Sequence, residues 1–197
     1  SAASDVYKRQ NPTGSNFTRG VVASLAKIMP AFGTKLNADI AVLELDEAYA
    51  VHFVNQIKPR YSLLLNVMRD QLDRFGEIDT TAKLLSNVAA ATEGTVVLNR
   101  EDSRICALAK VVPSGTCVRY FGLDDAVKSM FPTDDDLHNT AEKSENCKDT
   151  AESKANNLPK ADVVLSKVGD HEAEFILDGK SKTTSVKLDG AYNIFNA

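Results

Sequence analysis

Two short apolar runs stand out along the chain, Ile40-Ala-Val-Leu-Glu-Leu45 and Tyr61-Ser-Leu-Leu-Leu-Asn-Val67. Both are dense in Leu, Val and Ile, and each runs into a polar cluster. That pattern predicts strands buried on both faces of a parallel sheet, at Ile40–Leu45 and Arg60–Val67. Between and around them the apolar period lengthens to that of a helix. Ser15 or Asn16 caps a predicted helix whose apolar residues Phe17, Val21, Val22, Leu25, Ile28 and Met29 share one face, and Pro30 stops it. Glu47–Ile57 is a second predicted helix, closed by Pro59. Asp79–Ala91 is a third, starting from an Asp cap and turning Leu84, Leu85, Val88 and Ala89 inward. Gly94–Asn99 and Thr116–Phe121 are further predicted strands, with a helix at Asp102–Lys110 between them. Strands alternating with helices imply βαβ units, a parallel sheet and right-handed crossovers.

The pattern then changes. Thr133–Leu158 holds Asp134-Asp-Asp136, few large apolar residues and many Asn, Ser, Lys and Glu. Such a segment buries too little surface to offset its ordering, and it is expected to be a flexible acidic and polar linker. Ala161–Val168, Glu172–Leu177 and Thr183–Leu188 follow, split by Gly169-Asp170 and by Asp178-Gly-Lys-Ser181, which predicts a small antiparallel sheet. Gly190 opens a last predicted helix. The expected fold class is therefore α/β, a parallel sheet flanked by helices with a small antiparallel sheet after it.

At 197 residues the chain is long enough for one sizeable domain, and its 43% hydrophobic and 25% charged residues are ordinary for a globular protein. A net charge of −4 gives no electrostatic case for nucleic acid or an anionic membrane surface. No apolar run approaches the ~20 residues of a membrane span. Ser1–Gln10 lacks the apolar core of a secretory signal. Cys106, Cys117 and Cys147 are an odd set without a Cys-x-x-Cys pair, which fits a reduced, cytosolic chain.

The candidate chemistry lies past the two apolar runs. Acids at the carboxyl ends of parallel strands line the rim where open α/β sheets bind ligands. Carboxylates there suit Mg²⁺, a hard ion that commonly arrives with nucleotide phosphates. Glu44 is the leading candidate, against the plain alternative of a solvated strand-end acid. Glu44 and Asn66 are expected at the carboxyl ends of adjacent or near-adjacent strands. Asp46 and Glu47 are better explained as caps of the following helix. His52, His138 and His171 are scattered, with no partner at ligand or catalytic spacing. Asp178-Gly-Lys-Ser-Lys-Thr183 contains Gly-Lys-Ser but is no P-loop. Glu174 stands where the first glycine of that motif belongs, and the segment joins two predicted strands.

Three pieces, Val42-Leu-Glu-Leu-Asp-Glu47, Asn66-Val-Met-Arg-Asp-Gln-Leu-Asp-Arg-Phe-Gly76 and Gly190-Ala-Tyr-Asn-Ile-Phe-Asn-Ala197, resemble the central domain of the Mur ligases. These are ATP-dependent enzymes with a P-loop-NTPase-like central domain that join an acyl phosphate to an amine. The resemblance covers about residues 10–130 and 160–197. It implies that Glu44 binds Mg²⁺, with Gln71 a second candidate, and that Asn16, Asn193 and Asn196 contact ATP, with Tyr192 beside them. It implies catalytic roles for Asp70 and Asp73, in the loop that helps carry a second metal in most members. There Gln71 replaces the usual histidine and is a poorer ligand for a divalent ion. Asp73 and Arg74 are also suited to locking the loop by hydrogen bonds. Lys83 falls near a lysine that is carbamylated in many members, though its spacing from Gln71 is shorter than usual and a helix-face lysine is ordinarily just solvated.

Arg69-Asp-Gln-Leu-Asp-Arg74, with Asn11-Pro-Thr-Gly-Ser-Asn16 upstream, is similar to one subgroup: the ligase-type subunits that amidate the glutamate of lipid II. The implied partners are a glutaminase subunit supplying ammonia and lipid II or its stem peptide. Many of that subgroup insert a four-cysteine zinc ribbon near Thr133–Leu158. With Cys147 alone in this stretch, no such zinc site is expected. The expected organisation is a non-matching leader at 1–10, a truncated ATP-binding domain at 11–132, the linker at 133–158, the antiparallel sheet at 159–190 and the start of a helix at 191–197. The family's first strand and P-loop are expected to be missing, and the chain alone to be inactive. Two alternatives remain, another Mur-type ligase similar to folylpolyglutamate synthase and a non-catalytic Mg²⁺-binding α/β module. Gln71 disfavours the first. The Asn193/Asn196 segment and the antiparallel strands disfavour the second.

Overall fold

The computed structural model of the chain describes residues 40–67, 77–131, 158–186 and 194–195. The chain forms two compact units, Ser1–Ile57 and Lys58–Ala197.

In the first unit, residues 40–46 lead into helix α1 (Glu47–Val54). Asp46 caps it as its residue type predicts, accepting the Tyr49 N–H at 2.8 Å. Ala50 and Val54, one turn apart, are its buried residues. The helix stops three residues short of the expected Ile57. Lys58 precedes Pro59 and is pushed out of helical conformation, so the last turn tightens, with the Gln56 N–H reaching Phe53 O at 3.0 Å. Ile40–Leu45 does not form the expected strand. Ile40 and Val42 are 64% and 51% exposed. Apolar composition favours a strand only where a neighbouring backbone completes the ladder, and these residues have no such ladder among the described residues.

The second unit is built on one six-stranded sheet with the strands in sequence order: β1 (Tyr61–Leu64), β2 (Thr95–Asn99), β3 (Cys117–Leu123), β4 (Val163–Val168), β5 (Glu172–Leu177) and β6 (Lys180–Ser185). β1 to β4 pair in parallel, and β4 to β6 pair antiparallel. The antiparallel strands thus continue the parallel sheet instead of standing apart from it. β4 joins the two regimes, pairing Leu165 with Leu123 on one side and Phe175 on the other. β3 runs to Leu123, two residues beyond the expected Phe121, because Phe121–Leu123 find their partners in Val163–Leu165.

Helix α2 (Glu77–Ala91) joins β1 to β2, and helix α3 (Ser103–Ala107) with a 3₁₀ turn at Leu108–Val111 joins β2 to β3. α2 starts two residues before the expected Asp79, which leaves Asp79 in its first turn, where the helix dipole favours an acid. Val88 and Ala89 are buried, and Leu84 and Leu85 are half-buried, as their spacing predicts. An apolar cluster lies around β3 and β4. There Phe195 packs 5.1 Å from Phe121 and 5.5 Å from Phe131 (ring centroids), beside Leu165 and Ile194. Among the described residues no helix is long and apolar enough to cross a membrane.

Both hairpins have the expected turn chemistry. Gly169-Asp-His171 joins β4 to β5 with His171 in the left-handed region (φ 55°). Asp178-Gly179 joins β5 to β6 with positive φ at both residues (51° and 73°), the two-residue turn matched to strand twist. Gly179-Lys-Ser181 is therefore a hairpin tip. The turn also fixes where β6 begins, pairing Leu177 with Lys180. β6 lies three residues ahead of the expected Thr183–Leu188, since all of it is exposed and its side chains carry no apolar signal.

At the amino ends of β1 to β3, Thr92 is 1% exposed. Its hydroxyl donates to Val88 O at 2.8 Å, so the Ser62 hydroxyl, 2.7 Å away, donates to it. Thr116 Oγ1 donates to Thr92 O at 2.8 Å. Thr92→Val leaves the Ser62 hydroxyl without its acceptor, and we expect a loss of about 1–2 kcal/mol. The measurement is urea unfolding: the midpoint should fall with an unchanged slope.

Candidate functional site

The carboxyl ends of β1, β2 and β3 form the rim at which ligand chemistry is expected. Asn99 ends β2 and is 3% exposed. Its side-chain oxygen accepts the Glu101 N–H at 2.9 Å, a local turn that sets the direction of the next three residues. Arg100 and Glu101 fold across the rim onto Leu123. Glu101 Oε1 accepts from Arg100 Nε and from the Leu123 N–H, both at 2.9 Å, and Arg100 Nη2 donates to Leu123 O at 2.6 Å. The two side chains thereby satisfy both backbone groups of Leu123, extending the β2–β3 ladder. This contact requires Gly122, since a Cβ there would lie 2.7 Å from Glu101 Oε1 and 2.8 Å from Arg100 Cδ. Glu101 and Arg100 are only 11% and 16% exposed, so their charges are committed to this contact.

Asp102 is the N-cap of α3. Its Oδ1 accepts from the N–H groups of Arg104 (2.9 Å) and Ile105 (3.0 Å). Its Oδ2 accepts the Val67 N–H at 2.8 Å, across 35 residues of sequence. Val67 is buried and follows the half-buried Asn66, so the main chain just past β1 is held at a fixed point. The residue pattern predicts a helix start at Asp102 but assigns no role to its second oxygen. The available signal was an Asp past a strand end, three residues after a buried-strand Asn.

Next to these acids sits Cys106. Burial pushes its thiol up first, with Asp102 and Glu101 adding to the effect. Tyr120 is likewise raised, by burial and then by Cys106. On the exposed side, hydrogen bonding to Lys128 lowers Asp125. At mildly alkaline pH we expect iodoacetamide to label exposed Cys117 well before half-buried Cys106, as measured by mass spectrometry of the two peptides. Equal rates would contradict the burial of Cys106.

The sequence-predicted residues fall as follows. Glu44 is exposed and belongs to the first unit, and Asn66 belongs to the second. With Ile40–Leu45 outside any strand, Glu44 is not the strand-end acid of the sequence expectation. Lys83 is exposed on α2. Asp70, Gln71, Asp73 and Arg74 lie outside the described residues, as do Asn16, Tyr192, Asn193, Asn196 and the linker with Cys147 and His138. Of the last sequence piece, Ile194 and Phe195 are described, and both are buried in the apolar cluster. Among the described residues no three His, Cys, Asp or Glu side chains are grouped to hold a metal. A single exposed carboxylate such as Glu44 fits Mg²⁺ only as that ion is commonly held, by one or two carboxylates plus nucleotide phosphates. An open cleft of about 310 Å³ lies at the opposite rim, lined by Lys58, Thr92, Glu93, Pro113, Gly115 and Thr116. It sits at the strands' amino ends, away from the rim where such sheets bind ligands.

Residues 23–197 match the Mur ligase middle domain, and the chain belongs to that family of ligases. Among its relatives is the lipid II isoglutaminyl synthase (glutamine-hydrolyzing) subunit MurT of Streptococcus pneumoniae, 29% identical over 95% of this chain and 44% of that protein. The UDP-N-acetylmuramoylalanine–D-glutamate ligase of Paraburkholderia phymatum is 31% identical over 54% of this chain and 21% of its own length. Among solved structures, a pseudomurein peptide ligase type C from Methanothermus fervidus covers 71% of this chain and 29% of its own, with 14% identity and a TM-score of 0.48. The chain thus spans less than half the length of these relatives.

Proposed function

We propose that this chain is the middle portion of an ATP-dependent amide ligase that converts the glutamate of the lipid II stem peptide to isoglutamine. Ammonia comes from a glutaminase partner subunit, and the reaction runs in the cytoplasm. The observation that carries this reading is the 29% identity along 95% of the chain to a subunit named for that reaction. The Arg69-Asp-Gln-Leu-Asp-Arg74 piece supports the same subgroup.

In this reading a glutamate carboxylate oxygen attacks the γ-phosphorus of ATP and ADP leaves. Ammonia then attacks the acyl carbon, phosphate departs with that oxygen, and the nitrogen sheds a proton to give the amide. Asn16, Asn193 and Asn196 bind the nucleotide. Glu44 would hold the magnesium ion, with Gln71 a second candidate ligand. When bound, Mg²⁺ would supply charge neutralisation at the nucleotide phosphates. Asp70 and Asp73 act beside the acyl acceptor.

The test is amidation of lipid II by the longer protein that carries this chain, together with its glutaminase. We expect ATP- and glutamine-dependent conversion of glutamate to isoglutamine, read by mass spectrometry. ATP-dependent addition of an amino acid to the stem peptide, with no amidation, would instead favour the chemistry of the Paraburkholderia relative.

A further inference from the structure

We infer that Asp102 is a positioning residue, whose carboxylate clamps the main chain at Val67, just beyond the end of β1. The inference rests on the proposed ligase reading for its effect on rate, but the clamp itself stands on geometry. β1 pairs with β2 only over Tyr61–Leu64, so Val67 lies beyond the ladder. Val67 is 5% exposed, and its N–H would be a buried orphan without an acceptor. Asp102 Oδ2 supplies that acceptor at 2.8 Å.

The other half of the same carboxylate caps α3 through Arg104 and Ile105. One side chain therefore ties Val67 to the start of a helix, and Ile105, fully buried, pins that helix to the core. The turn made by Asn99 and the Glu101 contact with Leu123 hold the main chain that leads into Asp102. A neutral cap cannot do both jobs. An asparagine offers one oxygen and one amide nitrogen, and a donor would then face the Val67 N–H.

That asymmetry supplies the experiment. Asp102→Asn and Asp102→Ser both keep a good N-cap, and both lose the acceptor for Val67. Amide exchange measured by NMR on this 197-residue chain should show Val67 protected in the wild type. In both variants its exchange should be faster by about tenfold or more, while the α3 amides stay protected. In the longer ligase the same variants should lower kcat about ten- to a hundredfold, with KM for ATP nearly unchanged.

An unprotected wild-type Val67, or unchanged exchange in both variants, overturns the clamp. Faster exchange with wild-type kcat overturns the positioning role. A wild-type ligase that never amidates lipid II removes the ligase reading instead, and the exchange result still decides whether Asp102 holds Val67. If neither variant folds, protection of Val67 in the wild-type chain remains the deciding measurement.

Discussion

Replacing Leu165 with alanine is expected to destabilise the second unit by about 2–5 kcal/mol. Leu165 is 1% exposed, in the middle of β4. Its neighbours in the ladder are Leu123 of β3 and Phe175 of β5, so it stands where the parallel sheet turns antiparallel. Its carbonyl also accepts the Asp124 N–H at 3.0 Å, which limits how far the backbone can move to fill a void. The cost therefore combines lost apolar transfer with a cavity that collapses poorly, and the upper part of the range is expected. Val111→Ala, at a residue 45% exposed, should change stability by only about half a kcal/mol. Urea unfolding of both variants measures the contrast, and similar midpoints would contradict the core assigned around β4.

The second large effect falls on activity. In the proposed ligase, Glu44→Gln keeps the size of the side chain and removes its charge. Neutralising the transferring phosphoryl group by a metal is worth several kcal/mol, and each 1.36 kcal/mol is tenfold in rate. Partial loss of that contribution should lower kcat about a hundred- to a thousandfold, and the residual rate should need more Mg²⁺ to saturate. The measurement is the amidation rate across a magnesium series. An unchanged rate and magnesium dependence would make Glu44 a solvated acid and remove it from the site.

Much of the second unit was legible from residue types. β2 and β5 sit within a residue of their expected bounds, because β-rich apolar runs there end in turn or cap residues. The Asp46 cap, the helix start near Asp102 and the Asp178-Gly179 turn were legible for the same local reason. What escaped the sequence depends on partners far along the chain. Nothing within Ile40–Leu45 says whether a neighbouring strand completes its ladder. β6 has no buried residue, so only the hairpin turn and its pairing locate it. The clamp from Asp102 to Val67 spans two strand ends, and the need for Gly122 arises only once Arg100 and Glu101 fold over it. Of the site residues read from the motif pieces, Glu44 is among the described residues, and it is exposed and outside any strand.

The most direct test of amide ligation through an acyl phosphate is to follow an oxygen atom. Lipid II carrying heavy oxygen in the reacting glutamate carboxylate is turned over with ATP and glutamine by the longer ligase and its glutaminase, and the released phosphate is analysed by mass spectrometry. One heavy oxygen is expected in each phosphate per amide formed, because the carboxylate oxygen that attacks the γ-phosphorus leaves with it. Unlabelled phosphate, with the amide still forming, would contradict it.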